Sequence, residues 1–441
     1  MWVWHTETKY IRCVKPLLAF EVMHIDEQLK VVSYGAAKEL RHFSNSAKNL
    51  GELLISLDKW LEDRGLSASG IIGSECNCLL NKKLHWVADL SSISEQIRGE
   101  CLVFVVQAGH IEDFPVDKVT RRGVSNKNDK EMGLQSVREA ACTASVSSGN
   151  RRVAEPFQGA VQPIEYQTNG SVCNYGVKNE FLIDKQTVAE VDNVVRRGLE
   201  IRERLDIEHL VVSVKFPVYV DNHLLNSWFY TFKTPVNQRF LMKSENWNLI
   251  SCTPERFISI SDSKLQVQIL AGTFQSGTSF DEVSLIHEHQ AARNTLRTIV
   301  EKVVGKLELT VDCNLMAFDK ITHFHSAFEK PYQSNNSMLL TLAHLTPSPA
   351  TGTQDRYTQV AIQKLEGRTR GYYGGCFFLR TPGCLESLVS IRSIFKMSNS
   401  EIGEMLVGAG LKKGSILSSE SSEIISKATT SAKLLGVKLG I

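Results

Sequence analysis

The sequence predicts a large mixed α/β protein, and three observations carry that reading. The chain has 441 residues, enough for one large domain or two ordinary ones. Its make-up, 42% hydrophobic and 22% charged with 11 prolines, is that of a chain able to bury a core. Short apolar runs of strand character alternate along it with amphipathic stretches of helical period. The formal charge of +2 comes without a sustained basic face, so nucleic acid and acidic membrane surfaces are not expected partners. No apolar run approaches a membrane span, and Met1-Trp2-Val3-Trp4-His5 lacks the layout of a signal peptide. The 10 cysteines are scattered, and Cys76-Asn77-Cys78 has no second close pair to complete a zinc site. Free thiols in a soluble, cytoplasmic protein are the expectation.

Taken in order, residues 17–22 and 29–34 read as two strands around a polar turn. An amphipathic helix is expected over 47–64, with Leu50, Leu53, Leu54, Leu57 and Leu61 on one stripe and Gly65 as its stop. Another strand is expected at 101–106. Residues 112–165 turn polar and rich in Gly, Ser and Asn, which reads as a mobile loop with one short helix at 134–142. Order returns near Phe181. Asp184 caps a helix with Val188, Val191, Val195 and Leu199 on one face, and His209 opens a buried strand. A helix follows from about residue 285, with Ala292, Leu296, Ile299 and Val303 inward.

Three stretches carry chemistry. In Thr253-Pro254-Glu255 the proline forces a turn that leaves Glu255 at the lip of a strand. A carboxyl so placed is either merely exposed or aimed into a cleft with a raised pKa for proton donation. His287-Glu288-His289 resembles a metal triplet, but consecutive helical residues point apart. Glu288 alone suits a hard cation, with His289 as its neighbour. Near the C-terminus, Gly408-Ala409-Gly410 precedes a helical pattern that sets Glu420, Glu423 and Lys427 on one face. Two carboxylates one turn apart can hold a hard cation, and the bare amides beside the glycines can bind its anion. A solvated helix with one Glu–Lys pair is the plain alternative.

With these stretches come Leu270-Ala271-Gly272-Thr273, Leu345-Thr346-Pro347-Ser348-Pro349-Ala350, Arg370-Gly371-Tyr372-Tyr373-Gly374-Gly375 and Ile391-Arg392-Ser393. In this order they resemble the chorismate-utilising enzymes: isochorismate, salicylate, anthranilate and aminodeoxychorismate synthases. The resemblance covers roughly residues 180–435. It implies a single large α/β (α+β) domain, two antiparallel sheets in a sandwich with helices outside. Residues 1–111 would form its N-terminal part, 112–165 the loop, and 166–441 the catalytic region. It also implies Mg²⁺ as cofactor, held by Glu288 and Glu423 with Glu420 nearby, and chorismate as the small-molecule substrate. Arg392 would fork onto a substrate carboxylate. Tyr373, Lys427, His323, Ala271, Gly272, Thr273 and the Gly408, Ala409 and Gly410 amides would complete the pocket. Glu255 would be the general acid for the departing C4 hydroxyl.

Among these enzymes, the ammonia-using members resemble one another in an Asp-Leu-x-Arg-Asn-Asp run, replaced here by Gln290-Ala291-Ala292-Arg293-Asn294-Thr295. Ala271 stands where the aminodeoxychorismate enzymes have lysine, and no glutaminase is fused. Water is the implied nucleophile and isochorismate synthase the implied activity, for menaquinone or for siderophore and salicylate formation. Salicylate synthase and anthranilate synthase component I are alternatives. His209 stands where water-using members carry a lysine base, and the 349–352 segment is one residue short. A weakly active homologue kept as a binding or regulatory subunit is the alternative from another class.

Overall fold

In the computed structural model the described residues are 1–5, 9–13, 15–34, 43, 47–87, 99–115, 180–207, 209–220, 238–261, 263–275, 282–318, 321–333, 337–352 and 356–440. The N-terminal part supplies β1 (Trp2–His5), β2 (Lys9–Cys13), β3 (Leu18–Ile25), β4 (Gln28–Tyr34) and α1 (Leu50–Asp63). It continues through β5 (Ser67–Ile72), the single turn α2 (Cys76–Leu79), β6 (Leu84–Val87), β7 (Leu102–Gly109) and β8 (Glu112–Pro115). Then come β9 (Glu180–Leu182), α3 (Lys185–Arg204), β10 (His209–Tyr219), β11 (Gln238–Lys243), β12 (Trp247–Thr253), β13 (Arg256–Ser261) and β14 (Lys264–Gln275). The rest comprises α4 (Glu282–Val304), β15 (Glu308–Phe318), β16 (Ile321–Pro331), α5 (Met338–Leu345), α6 (Arg356–Glu366), β17 (Cys376–Thr381) and β18 (Cys384–Val389). It closes with β19 (Ser393–Met397), β20 (Ile402–Lys412), α7 (Leu417–Leu434) and β21 (Lys438–Gly440).

The strands form an eight-stranded sheet, β10-β20-β19-β12-β11-β1-β2-β8, and an eleven-stranded one, β15-β16-β14-β13-β18-β17-β5-β7-β3-β4-β6. All pairings in these two sheets are antiparallel except β4 with β6. Strand alternation sorts the apolar residues into three cores. Trp2, Trp4, Phe240 and Trp247 of the smaller sheet meet Ile71, Val105, Phe377 and Leu379 of the larger between the sheets. The opposite faces of the same strands pack on helices. Phe104 and Phe378 lie under α1 and α5, while Leu241 and Ile250 lie on the side of α3 and α7. The layers are therefore helix, sheet, sheet, helix, the expected sandwich.

Local chemistry accounts for the helices. Asn49 Oδ1 accepts from Glu52 N–H at 2.9 Å to start α1, and the five predicted leucines are buried. Asp184 Oδ1 accepts from Thr187 N–H at 2.7 Å to start α3. One helical face is corrected: Val303 is exposed, and α4 buries Leu296 and Val300 with Ala292 beside them. The period of four from Ala292 places Val300 inward and turns Val303 to solvent. The sheet reaches four residues into the polar stretch, through β8. Residues 116–179, including the predicted helix at 134–142, lie outside the described residues.

Candidate active site

The interlayer core draws no residue from β10, β13, β14 or β16, and polar groups gather where it stops. They are carried by two crossings between the sheets. β12 leads from the smaller sheet to β13 of the larger through Glu255; β18 leads back to β19 through Arg392. The crossings are stitched together. Val389 N–H donates to Glu255 O at 2.9 Å and Cys252 N–H to Arg392 O at 3.1 Å. Ser251 Oγ donates to Ile391 O at 3.0 Å. Arg392 has φ +50°, a left-handed backbone that costs a non-glycine residue energy and is held by these bonds.

Burial and charge follow from that placement. Glu255 is 9% exposed. Burial pushes its carboxyl up to about 7, against the pull of the Arg392 and Lys427 charges. Burial, then the same two cations, push His323 down to about 4, so its ring is neutral near pH 7. Arg392 itself is pulled below the usual guanidinium range by burial, with Cys252 and Glu255 opposing. A carboxyl, an imidazole and two cations thus lie near enough to feel one another's charge. His323 of β16 sits in register with Thr273 of β14, and a bulge at Gly272 separates Thr273 from Ala271. The Thr273 side chain is outside the described residues. At Gly272, φ +69°, a Cβ would lie 2.7 Å from Leu285 O, so glycine there lets β14 approach the first turn of α4.

The neighbouring turn brings Tyr373. Gly374 N–H donates to Ser390 O at 3.0 Å and Ser390 N–H to Gly375 O at 2.9 Å, tying the turn to the second crossing. Burial pushes the Tyr373 phenol up to about 12, so it stays protonated as a hydrogen-bond donor. Its hydroxyl lies against Gly408, where a Cβ would come within 2.6 Å of it. Two residues on, a Cβ at Gly410 would lie 2.4 Å from His209 Nε2. These glycines face Ser213 and Val211 across the β10–β20 ladder, and the even residues Val212 and Val214 point the other way, into the helix layer. His209, Gly410, Gly408 and Tyr373 therefore share the inner face. Ala409 does not: its side chain is buried under the helices, so among the predicted binding residues it has its backbone alone to offer.

α7 closes the rim. Lys427 Nζ lies 3.5 Å from Gly408 O and 2.5 Å from Glu423 Oε1, a half-exposed pair. Glu420 is buried at the head of the same helix. Carboxylate oxygens one turn apart suit a hard cation such as Mg²⁺ and fit poorly with softer metals. No group of three metal-ligating side chains occurs among the described residues, and the side chain of Glu288 lies outside them. His289, the neighbour of Glu288, is fully buried. Its Nδ1 is 3.3 Å from Ala271 O and its Nε2 2.8 Å from Ser326 Oγ. A carbonyl can only accept, so Nδ1 carries the proton.

Residues 194–433, more than half of the chain, match the family of chorismate binding enzymes. The chain belongs to that family. A curated relative, anthranilate synthase component 1 of Lactococcus lactis, is 22% identical over 260 residues, covering 55% of each chain. A salicylate biosynthesis isochorismate synthase of Pseudomonas aeruginosa is 26% identical over 187 residues, covering 40% of this chain and 39% of its own. The matches thus span about half the length of these relatives or less. Among solved structures, anthranilate synthase component I of Streptococcus pneumoniae superposes with a TM-score of 0.61 at 14% identity, covering 96% of this chain and 92% of that one. That likeness establishes the fold of a chorismate binding enzyme for nearly the whole chain. No helix among the described residues is long and apolar enough to cross a membrane.

Sequence reasoning missed a buried ion network behind Tyr373. Arg370 was visible as part of a motif, but its partner Glu366, four residues earlier, carried the signal of an i, i+4 pair and went unread.

Proposed function

We propose that this chorismate binding enzyme is an isochorismate synthase, adding water at C2 of chorismate as the C4 hydroxyl leaves. The observation that supports this best is Glu255, a buried carboxyl with a pKa raised to about 7 beside two cations. Near neutral pH a good part of it is protonated, and a proton donor is what a departing hydroxyl needs. The C4–O bond breaks with Glu255 supplying the proton, so the hydroxyl departs as water. A new C2–O bond forms from a second water, whose proton goes to a base. The ring double bonds shift between the two carbons, and atoms and charge balance.

His209 is the candidate base. An imidazole, unlike a lysine, can take a proton near neutral pH without a strongly depressed pKa. Arg392 would bind a substrate carboxylate bidentately, and Tyr373 O–H and Lys427 would donate to its oxygens. Magnesium, where bound by Glu288, Glu420 and Glu423, would supply positive charge for the second carboxylate. His323, held neutral, adds no charge beside Glu255. The test is incubation of the purified protein with chorismate and Mg²⁺ in ¹⁸O-water, with products separated by chromatography. Isochorismate labelled at C2 supports the reading; salicylate, anthranilate on adding ammonium, or unchanged chorismate would each refute it.

A further inference from the structure

β10 is an edge strand of the smaller sheet, so alternate residues present backbone groups that no strand pairs. Side chains close them instead. Ser213 N–H donates to Glu366 Oε1 at 2.7 Å, and Arg370 Nη2 donates to Val211 O at 2.6 Å. Arg368 Nη2 donates to Ser213 O at 3.3 Å. Glu366 and Arg370 are paired at 2.5 Å, with side chains 0% and 6% exposed. The same arginine holds the other wall. Its Nη1 donates to Thr351 O at 2.6 Å, its carbonyl accepts from Tyr373 N–H at 3.0 Å, and its guanidinium lies 5.8 Å from the Tyr373 ring centre.

From these contacts we infer that Glu366 and Arg370 are positioning residues that hold His209 and Tyr373 on one inner face of the smaller sheet. The ion pair fixes β10 two and four residues beyond His209, and it fixes the turn that ends in Tyr373. The inference rests on the reading of His209 and Tyr373 as site residues. A second buried pair serves as control: Arg380 Nε donates to Asp58 Oδ1 at 2.7 Å, joining β17 to α1 and touching none of the site residues. Removing Glu366 leaves buried arginines without their carboxylate, and removing Asp58 leaves Arg380 with Glu62 alone, so both changes destabilise the fold. Positioning adds a cost to the rate, because a shift of about 1 Å at a reacting group can lose about 10²-fold.

The experiment compares Glu366→Gln and the double variant Glu366→Leu/Arg370→Met, which removes this pair and leaves Arg368, 3.3 Å from Glu366, as the remaining charge, with Asp58→Asn, each assayed well below its own Tm. For the Glu366 variants we expect kcat lowered about 10²-fold with KM changed far less. Ser213 N–H should exchange faster, and the His209 imidazole signals, assigned with His209→Ala, should shift. Asp58→Asn should lower Tm and keep kcat. A folded double variant with wild-type kcat would overturn the inference, whatever its amide exchange; if Glu366→Gln does not fold, the double variant decides. Should the wild type itself fail to turn over chorismate, the proposed function fails on its own. The imidazole signals then decide the inference, and signals unchanged in the folded double variant would overturn it.

Discussion

The two sheet crossings lie near the rim formed by β10, β20 and α7 but are built on different terms. Glu255 and Arg392 are sunk in connections that hydrogen-bond to each other, and burial dominates their ionisation. At the rim His209 is exposed, Glu423 and Lys427 are half-exposed, and glycines rather than bulky side chains set the shape. The crossings thus use stability to tune an acid, whereas the rim holds groups that meet solvent, water and ions. Substitutions at the crossings should change both folding and rate; those of the rim's solvent-facing side chains should change rate alone.

The largest effect is expected at the rim. Glu423→Gln should abolish magnesium-dependent turnover and, by isothermal titration, magnesium uptake in the presence of chorismate, while Tm stays level. Full activity in EDTA-treated buffer would remove the metal from this helix.

Glu255→Gln comes next, with kcat lowered by about 10²- to 10⁴-fold. Here stability must move too. The carboxyl's pKa is raised from 4.5 to about 7 on folding, so its contribution is fully present below 4.5 and is lost as pH rises through 7. That loss is on the order of 3 kcal/mol. The Gln variant should therefore melt higher than the wild type at about pH 8 and alike at about pH 4. Equal melting at both pH values would contradict a buried, raised carboxyl.

The two glycines sharpen the contrast within the rim. A Cβ at Gly408 would meet the Val212 carbonyl at 2.3 Å, a backbone atom that cannot step aside, so Gly408→Ala should lower Tm. At Gly410 the obstacle is the end of the His209 ring, which can rotate away. Gly410→Ala should keep Tm and lose rate. If both alanines behave alike by calorimetry and kinetics, the glycines serve packing alone.

The smallest effect expected is for Arg392→Lys, which keeps the charge and loses the fork. KM should rise by roughly tenfold or more, the worth of one charged hydrogen bond, with kcat changed less. An unchanged KM for chorismate would take Arg392 out of the substrate pocket.

The same division explains what the sequence disclosed. Leucine spacing in α1, the cap Asp184, and the proline before Glu255 are local signals, and the chain obeyed them. The sandwich itself came from the order of motifs, because long-range strand pairing leaves no local mark. Val303 was misread because α4 offers apolar residues at two competing phases, and packing against the sheet chose between them. Glu255, Arg392, Tyr373 and Lys427 were legible as candidates, yet not the way the fold gathers them. Their convergence depends on β12–β13 and β18–β19 crossing side by side, which no spacing records. The Glu366–Arg370 pair offered only its i, i+4 spacing, because its other partners are backbone groups of a distant edge strand.

The central claim, that a buried Glu255 donates the proton in water addition, is tested most directly by the pH dependence of chorismate conversion to isochorismate. Initial rates of the wild type and Glu255→Gln would be compared from about pH 5 to about pH 9. The account predicts a wild-type limb that falls as pH rises through about 7, and a much slower Gln variant lacking that limb. A wild-type rate that is level through that range, or a Gln variant as fast as the parent, would contradict it.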